Sequence, residues 1–439
     1  MRILILDPEK NVSHRISKDT CGGYGTGNDF GDTAVPILLK KTLKKVHDWP
    51  PMFALYTMSV VKKFGHNVEY TKNLPKNSEN YDLFIIVSSI VCCETECNYI
   101  EQLSGLKKKI FVIGPFATNM PQKYCDAGGS VIMGEPEFFF LKNRDLNVIE
   151  NKKHITFEHN FNLDDLPYPD WESVIKNNKT SLLFGTEKSL PILATRGCPY
   201  SCFKYCVYPL QQGRKPRQRD TKQIVDELEY WNKKFHVKMF IFRDPVFSIN
   251  KKHTIEFCNE LIDRNLNIKF VIETHLRILD SDLIKVLKQA GLKAVKVGVE
   301  SFDADVLKAS GRFSVSKDQQ LEKIRELENN NIQVSAMYIL GFPTDNEETI
   351  NNTINYSKKL NTTYAQFSVW TPYPGTPVFN EYKDKIIVNN YDEFDQYNLV
   401  YKHNLFNKEH IRKYLSKAYS SYYLRINWLF KYFKSFITS

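Results

Sequence analysis

Apolar positions in the first third of the chain recur in short runs that are separated by amphipathic stretches. The runs MRILILD, YDLFIIVSS, IFVIGP and SVIMGE alternate with helical patterns such as PMFALYTMSVVKKFG and YIEQLSGLKKK. Short apolar strands between helical patterns indicate a parallel, doubly wound sheet. Ligands of such sheets bind beyond the carboxyl ends of the strands. We therefore predict a Rossmann-like domain over residues 1–145, with candidate ligand contacts near Asp7, Ser88, Gly114 and Gly134.

A second series of strands begins after residues 146–189, where the periodicity is poor and LPYPDW predicts an extended connector. Over residues 190–385, six apolar runs are each separated by a helical pattern: PILATRG, KMFIFRD, IKFVIETH, AVKVGVES, QVSAMYILG and AQFSVWTPY. This repetition predicts a partial (β/α)6 TIM-type barrel whose chemistry lies at the strand ends. The predicted fold class is therefore α/β, with two successive α/β domains.

The final segment, residues 386–439, is predicted to be helical. Its stretch HIRKYLSKAYSSYYLRINWLFKYFKSF is aromatic and basic at helical spacing. Such a segment either caps the barrel mouth or lies on a membrane surface as an amphipathic helix. The sequence leaves both alternatives open.

Composition narrows the class of protein without naming a function. A chain of 439 residues with 42% hydrophobic and 25% charged residues is expected to fold as two or three globular domains. Its net charge of +10 comes from scattered lysines, which favours a solvated basic surface over a nucleic-acid or anionic-membrane partner. The start lacks a signal-peptide pattern, so the nine cysteines are expected to be thiols or metal ligands in the cytoplasm.

The most informative segment is ATRGCPYSCFKYCVYP. It places Cys198, Cys202 and Cys206 within nine residues, directly after a predicted strand. Three thiolates on one loop can hold three irons of a four-iron cluster and leave the fourth iron open to a substrate. Buried structural cysteines or a zinc site completed elsewhere are the alternatives, although zinc sites usually have four protein ligands in paired spacing.

With these cysteines the sequence resembles the radical SAM superfamily, whose enzymes cleave S-adenosylmethionine (SAM) at a 4Fe-4S cluster. The usual family loop is CxxxCxxC, whereas this loop is CxxxCxxxC, so Phe203 or Lys204 is an inserted residue. A bulged loop would keep all three sulfurs on the cluster. A pseudoenzyme without a cluster is the alternative.

Later segments resemble the family's motifs in the same order: IFRDPVFSIN, GLKAVKVGVES, ILGFPTDNEET and TPYPGTPVFN. The resemblance implies that a set of residues at strand ends surrounds SAM. These residues are Tyr205, Asp244, Glu300, Ser301, Gly341, Pro343 and Tyr373.

The first domain resembles the cobalamin-binding domain that is fused to one branch of this superfamily. The resemblance is carried by PPMFALYTMSVVKKFGHNVEY, YDLFIIVSS, FVIGPFATNMPQKYCDAGGSVIMGEPE and LPYPDW. It implies that cobalamin lies near Ser88, Gly114 and Gly134. The chain has no DxHxxG motif, so cobalamin without a histidine ligand is expected, and a domain that has lost the cofactor is the alternative. Cys21, Cys92, Cys93, Cys97 and Cys125 are expected to be small buried apolar side chains, although they could form a second cluster, as in the methylthiotransferases that modify tRNA.

The resemblance implies a cobalamin-dependent methyltransferase that acts on an unactivated carbon or phosphorus centre. Its substrate would be a small molecule, a lipid or a peptide, and its electron donor a protein such as flavodoxin or ferredoxin. Radical ring formation or rearrangement without methyl transfer is the nearest alternative. A tRNA methylthiotransferase is a second one, which the lack of an obvious RNA-binding module disfavours. A non-enzymatic cobalamin sensor is the third.

Overall fold

The computed structural model describes residues 1–46, 49–149, 153–156, 161–175 and 188–437. Two six-stranded sheets, each with all strands parallel, form successive α/β units. The α/β fold class predicted from the sequence is therefore confirmed.

The first unit is a doubly wound sheet with strand order β4-β1-β5-β6-β7-β8. Its strands, with a small β2–β3 ribbon, are β1 (Arg2–Leu6), β2 (Ile16–Ser17), β3 (Thr26–Gly27), β4 (Asn67–Thr71), β5 (Leu83–Val87), β6 (Lys109–Ile113), β7 (Ser130–Ile132) and β8 (His154–Ile155). Its helices are α1 (Ala34–Lys44), α2 (Met52–Lys63), α3 (Cys93–Ser104), α4 (Pro115–Asn119), α5 (Pro121–Asp126) and α6 (Pro136–Lys142). Strand β8 lies within the predicted connector, so residues of that segment add an edge strand to the first sheet.

The second unit is an open barrel with strand order β16-β15-β14-β13-β12-β9, which is the predicted six-stranded partial barrel. Its strands, with a short β10–β11 ribbon, are β9 (Ser189–Ile192), β10 (Thr195–Arg196), β11 (Arg217–Gln218), β12 (Met239–Phe242), β13 (Lys269–Glu273), β14 (Leu292–Glu300), β15 (Gln333–Leu340) and β16 (Tyr364–Val369). Its helices are α7 (Tyr208–Gln212), α8 (Thr221–Phe235), α9 (Lys251–Asp263), α10 (Ser281–Gln289), α11 (Ala304–Ala309), α12 (Lys317–Asn329), α13 (Glu347–Leu360) and α14 (Pro377–Tyr382).

Local sequence explains why the barrel helices begin where they do. The Asp220 carboxylate accepts hydrogen bonds from the amides of Lys222 and Gln223 at the start of α8, and the Asp280 carboxylate caps α10 through the amide of Leu283. These caps satisfy amides that have no partner within the helix. Helices α8, α9 and α10 then bury apolar side chains from one face of each helix.

The barrel has an accessible interior. Along β15, alternate side chains from Val334 to Leu340 are buried in the main core beneath the helices. The intervening side chains of Ser335, Met337 and Ile339 are only half-buried, and the same alternation occurs in β16. Because successive strand residues point to opposite faces, the half-buried set lines the lumen. The lumen is therefore a hollow that opens at the carboxyl ends of the strands.

The C-terminal segment covers the edge of the barrel sheet. Its helices are α15 (Lys408–Tyr423) and α16 (Ile426–Ile437), so the predicted helical segment becomes helical only at residue 408. The Tyr419 hydroxyl accepts from the amide of Phe367 (3.1 Å) and donates to the carbonyl of the same residue (3.0 Å). Tyr423 makes the same pair of bonds with Ala365. These hydroxyls satisfy edge groups of β16 that a further strand would otherwise bind.

Helix α16 presents an apolar face to solvent. Trp428 donates to the carbonyl of Thr363, and Lys431 pairs with Glu328, so one side of the helix is docked on the barrel. A second side exposes large apolar side chains: Ile426 (68%), Leu429 (40%) and Phe430 (72%). Leu424, in the turn between α15 and α16, is also exposed (67%). Over the described residues, every helix is too short or too polar to cross a membrane.

Candidate active site

The cysteine loop lies between β10 and α7, and a 3-10 helix at Ser201–Lys204 shapes it. The amide of Cys206 donates to the carbonyl of Cys202 (3.0 Å), as in one turn of α-helix. Side chains four residues apart lie on the same face of such a turn, as do side chains three residues apart. The two sulfurs are accordingly in hydrogen-bonding contact. The wider CxxxCxxxC spacing therefore keeps both thiols on one side of the loop.

The residues at the insertion point away from the cysteines. The Phe203 ring lies under the guanidinium of Arg214, with 4.2 Å between the ring centroid and the guanidinium carbon. The Lys204 stem packs over Gly311, where a Cβ atom would come within 3.2 Å of Lys204 Cδ. The Ser201 hydroxyl donates to the Gly311 carbonyl (2.8 Å). Contacts with the loop that follows α11 therefore hold the longer turn in place.

Deletion of Lys204 is expected to leave the three cysteines competent to bind a cluster, because it converts a four-residue separation into a three-residue one on the same face of the turn. Iron and sulfide content and visible absorbance after anaerobic reconstitution measure this outcome. The Lys204→Ala variant is the control, since it removes the stem but keeps the spacing. Complete loss of the cluster in the deletion variant alone would mean that the wider spacing is itself required.

Arg312 makes the loop electropositive. Its guanidinium lies 3.7 Å from the Cys202 sulfur and 3.3 Å from the Glu300 carboxylate. The hydrogen bond from Cys206 lowers the pKa of Cys202 to about 6, and the charge of Arg312 acts in the same direction. The thiolate is the form that ligates metals. Burial raises the pKa of Cys198, and the hydrogen bond with Cys202 raises that of Cys206, so Cys202 is the thiol of the three that these contacts favour as a thiolate.

The donor set of this loop fits a four-iron cluster better than a single ion. Within the described ranges, no three His, Cys, Asp or Glu side chains converge closely enough to hold one metal ion. The ligands of a four-iron cluster can lie further apart than those of a single ion, because each cysteine binds a different iron. Three thiols on one loop, one of them with a lowered pKa, match the ligand set that leaves one iron open.

Two predicted SAM residues lie beside this loop. Glu300 ends β14 in a left-handed conformation (φ 64°), and burial raises the pKa of its carboxyl to about 7, with Arg312 opposing. Tyr205 packs edge-on against Phe342, with 6.1 Å between ring centroids. Its buried hydroxyl has no hydrogen-bond partner among the residues that the structure describes. A Cβ at Gly298 would collide with the Glu300–Arg312 pair, which explains the glycine there.

Asp244 and Ser301 are engaged with the protein itself. The buried carboxylate of Asp244 accepts hydrogen bonds from the amides of Ala194 and Thr195, on the segment that leads to the cysteine loop. Burial raises the pKa of Asp244 to about 7. The Ser301 hydroxyl accepts from the amide of Asp303 (3.1 Å) and lies 3.3 Å from the Thr353 hydroxyl on α13, away from the lumen. Both side chains therefore position backbone around the site.

The remaining predicted SAM residues lie on two loops. Gly341 has a positive φ of 75°, and its carbonyl accepts from the Tyr401 hydroxyl (2.9 Å). Pro343 lies in the same turn. The Asp345 carboxylate closes this turn by accepting a hydrogen bond from the Phe342 amide. Tyr373 instead packs edge-on against Tyr24 (5.6 Å between ring centroids), in the core of the first unit. The structure thus groups Tyr205 with Glu300 and turns Tyr373 toward the first unit.

The three predicted cobalamin contacts come together at the carboxyl edge of the first sheet. The Ser88 hydroxyl accepts from the Ala117 amide, and a Cβ at Gly114 would lie 2.7 Å from Ser88 Oγ. The Thr118 hydroxyl donates to the Gly114 carbonyl and accepts from the Gly134 amide. One helical turn, α4, therefore ties these three loops into a single edge.

A glycine-rich loop that the sequence analysis did not single out joins this edge to the cysteine loop. Residues 21–27 read CGGYGTG, and Cys21 has φ 53°. A Cβ at Gly22 would meet the Tyr208 backbone at 3.2 Å, and one at Gly23 would meet Phe53 at 2.9 Å. The four glycines in seven residues were the sequence signal that could have identified this loop as a contact, because two backbones can approach closely only where side chains are absent.

A buried ion cluster also crosses the junction. Arg196, two residues before the first cysteine of the loop, lies 2.5 Å from both Glu135 and Glu137. Arg217 adds a second cation at 2.8 Å from Glu135. These carboxylates belong to the GEPE turn of the first unit. In the sequence this turn is part of the resemblance to the cobalamin-binding domain, and the two glutamates have no predicted role of their own. The pairing therefore fixes the cysteine loop relative to the first sheet.

A cleft lies between the two units beside the cysteine loop. The described residues that line it, none of which is a histidine, come from both units: Asp19, Gly22, Gly23, Pro51, Met52, Phe53, Leu193, Arg196, Tyr208, Gln211, Gln212 and Arg243. Among the residues described, the buried Nε2 of Gln211 has no hydrogen-bond partner. This amide donor could bind a ligand that offers carbonyl oxygens. A corrinoid is such a ligand, because its amide side chains carry carbonyl groups.

Comparisons with known proteins agree with this geometry. The model of the Radical SAM superfamily matches residues 192–356. An uncharacterized methyltransferase of Pyrococcus horikoshii is 25% identical over 422 residues, which span 87% of this chain and 89% of the relative. The anaerobic magnesium-protoporphyrin IX monomethyl ester cyclase of Cereibacter sphaeroides is 32% identical over 52% of this chain, but the match spans only 37% of the cyclase.

Among solved structures, the radical S-adenosylmethionine methyltransferase TsrM from Kitasatospora setae superimposes with a TM-score of 0.62 at 15% identity, over 86% of this chain and 75% of TsrM. A second structure of TsrM, with cobalamin and a [4Fe-4S] cluster bound, gives a TM-score of 0.59. The likeness covers both units, the Rossmann-like one and the barrel. Residues 192–356 are therefore a radical SAM domain, and the chain shares its two-unit fold with TsrM.

Proposed function

We propose that this protein is a cobalamin-dependent radical SAM methyltransferase that acts on an unactivated carbon or phosphorus centre. One observation carries the proposal: Arg196 and Tyr208, which flank the three-cysteine loop, line the same cleft as Phe53, which packs on Gly114 at the carboxyl edge of the Rossmann-like sheet. Both kinds of parallel sheet bind ligands at that edge. The methyltransferase relatives reported above support the same reaction.

When bound, the cluster with SAM supplies a deoxyadenosyl radical, and the corrinoid supplies the methyl group. The chain's part is to bind and orient these groups. Cys198, Cys202 and Cys206 are the proposed cluster ligands. Tyr205 and Glu300 are proposed to contact SAM, and the loops at Ser88, Gly114 and Gly134 to contact cobalamin. Asp244, Ser301 and Gly341 are proposed to hold the surrounding backbone.

Anaerobic reconstitution, followed by iron, sulfide and corrinoid analysis, tests the proposal. We expect one four-iron cluster and one corrinoid per chain. Corrinoid binding should protect the loops at Ser88, Gly114 and Gly134 from hydrogen exchange. Electron paramagnetic resonance of bound cob(II)alamin should show no nitrogen splitting from an axial ligand, because no histidine is among the described cleft residues. A preparation that cleaves SAM but binds no corrinoid would overturn the methyltransferase reaction and leave a cobalamin-independent one.

Substitution of Glu300 by glutamine should weaken SAM binding about tenfold or more while cluster content stays unchanged. An ionised carboxylate accepts charge-assisted hydrogen bonds worth about 1.5–3 kcal/mol, which an amide reproduces only in part. Equilibrium binding of SAM to the reconstituted enzyme measures the change. Glu256→Gln on the exposed face of α9 is the control. Equal SAM affinity in both variants would remove Glu300 from the proposed SAM site.

Radical ring formation without methyl transfer is the second candidate, and the identity of 32% to the cyclase favours it. SAM with an isotopically labelled methyl group separates the two reactions, because only methyl transfer puts the label into the product. A methylthiotransferase is disfavoured, since four of the five cysteines that suggested a second cluster, Cys92, Cys93, Cys97 and Cys125, are buried in the apolar core of the first unit. The fifth, Cys21, is partly buried and accepts a hydrogen bond from the Gln396 side chain.

Electrons for SAM cleavage are proposed to come from a small redox protein such as flavodoxin or ferredoxin, in the cytoplasm. We also propose a peripheral contact with an anionic membrane through the exposed apolar face of α16. Residues 410–439 contain six Lys and Arg and no Asp or Glu, which complements anionic lipid. Sedimentation with phosphatidylglycerol vesicles tests the contact, and Phe430→Asp should abolish it. Equal sedimentation of this variant would exclude α16 as the contact.

A further inference from the structure

The interior of the barrel is layered, with an apolar floor at its closed end. Strand register places Ile241, Val271 and Ala294 side by side on three neighbouring strands. These side chains form a small cluster with Met239, against which Tyr364 packs, and this cluster is separate from the main core. The lumen therefore ends below in a packed apolar layer.

The next layer toward the open end carries charge instead. Two residues further along the same strands lie Glu273 and Lys296, which are paired in register, and Arg243, which directly follows β12. All three are only half-buried, so a ligand in the lumen can reach them. The loop before β3 brings Asp19 to within 2.6 Å of Arg243. We refer to Arg243, Glu273 and Lys296, with Asp19 from that loop and Arg15 from the segment just before β2, as the charged layer.

The charged layer has an excess of positive charge. Its three cations are Arg15, Arg243 and Lys296, and its two carboxylates are those of Asp19 and Glu273. Burial, followed by repulsion from Arg243, lowers the pKa of Lys296 to about 8, and Arg15 acts in the same direction. Burial also raises the pKa of Glu273, which weakens its negative charge. An added anion would relieve the repulsion among the cations, whereas an added cation would increase it.

The charged layer lies below the proposed SAM site along the same strand. Lys296 and Glu300 are four residues apart on β14, which corresponds to about 13 Å along a strand. Gly298 lies between them, and the Glu300 carboxylate and the Arg312 guanidinium occupy the place that its side chain would take. A compact molecule that touches the charged layer with one end would present its other end below Glu300, where the radical is expected to form.

We propose that the charged layer binds the carboxylate of the substrate, and that the substrate is a small polar carboxylic acid rather than an isoprenoid lipid. This inference rests on the proposed function, because it concerns the substrate of that same site. The carboxylate would take Lys296 and Arg243 as partners, with Glu273 and Asp19 keeping the remaining cationic charge balanced. The apolar floor would prevent the acid from entering deeper.

Acetate and acetamide have the same shape and differ in charge, so they probe the layer directly. In reconstituted enzyme labelled with [13Cε]lysine, acetate should raise the pKa of Lys296 by about 1, and acetamide should leave it unchanged. The Lys296→Arg variant assigns the resonance. A pKa of Lys296 that is insensitive to both probes would overturn the proposal.

A low-molecular-weight extract of the source organism provides the second measurement. Methyl transfer from labelled SAM should be supported by the fraction that an anion-exchange resin retains, and carbodiimide amidation of that fraction should abolish the support. Lys296→Met should lose this transfer but retain substrate-independent SAM cleavage, Lys296→Arg should restore transfer, and Lys293→Met on the same strand should behave as the parent enzyme. Transfer supported only by the chloroform-soluble fraction would overturn the carboxylic acid. If the reconstituted parent enzyme does not cleave SAM at all, the proposed function itself is refuted.

Discussion

Replacement of Cys202 by alanine is expected to abolish both the four-iron cluster and the cleavage of SAM. Cys202 is the central one of the three proposed ligands, and the hydrogen bond from Cys206 lowers its pKa to about 6, so it is the thiol that most readily becomes a thiolate. Its loss leaves two cysteines, which is fewer than an open-iron cluster needs. Iron content, visible absorbance and deoxyadenosine formation after reconstitution should all fall to background.

Cys258→Ala is the matched control for this prediction. Cys258 is a buried cysteine of α9 that packs in the apolar core, so its removal leaves only a small cavity. Its cluster content and SAM cleavage should equal those of the parent enzyme. Cys206→Ala should behave as Cys202→Ala does. Full cluster retention in the Cys206 variant would show that the longer loop has recruited a different third ligand.

The strands of both sheets could be predicted because the strands that matter most are buried on both faces and read as apolar runs. β5 (LFIIV) and β12 (MFIF) are examples. Strand β4 (NVEYT) was missed because it is a half-exposed edge strand with a polar sequence. Strand β8 was missed because two residues carry no periodicity. A continuous apolar run or a regular alternation, as in β15 and β16, identifies a strand, whereas a very short or polar edge strand gives neither signal.

Position at a strand end predicted the neighbourhood of a site residue but not the direction of its side chain. Glu300 and Ser301 are adjacent at the end of β14, where the register shifts by one residue. Glu300 faces Arg312 and the cysteine loop, whereas Ser301 turns to α13. A bulge changes which residues face the lumen, and no local sequence signal reports it.

The junction between the two units could not be predicted from local patterns, because its partners are far apart in the chain. Arg196 pairs with Glu135, which lies 61 residues earlier in the chain. An arginine before a cysteine loop and two glutamates in a turn give no separate indication of each other. Their pairing follows only from how the first sheet and the barrel dock.

Replacement of Arg196 by methionine is expected to lower the free energy of unfolding by about 3–5 kcal/mol, because it leaves buried carboxylates without their cation. Arg196 is 4% exposed, and Glu135 and Glu137 are 2% and 0% exposed, so water cannot compensate. Arg217 still pairs with Glu135, which leaves Glu137 as the main source of the loss. Urea denaturation of the cluster-free protein, followed by tryptophan fluorescence, measures the change.

The same substitution should also loosen the cysteine loop, since Arg196 lies two residues before Cys198, and cluster yield should therefore fall. Adding Glu137→Gln removes the uncompensated charge and should restore part of the stability. Arg264→Met is the control, because Arg264 pairs with Asp226 and Glu260 at the surface, where such pairs contribute about 0–1 kcal/mol. Equal losses in the Arg196 and Arg264 variants would show that the buried cluster does not hold the two units together. A loss confined to Arg196→Met, and reduced by Glu137→Gln, would identify the unpaired Glu137 carboxylate as its cause.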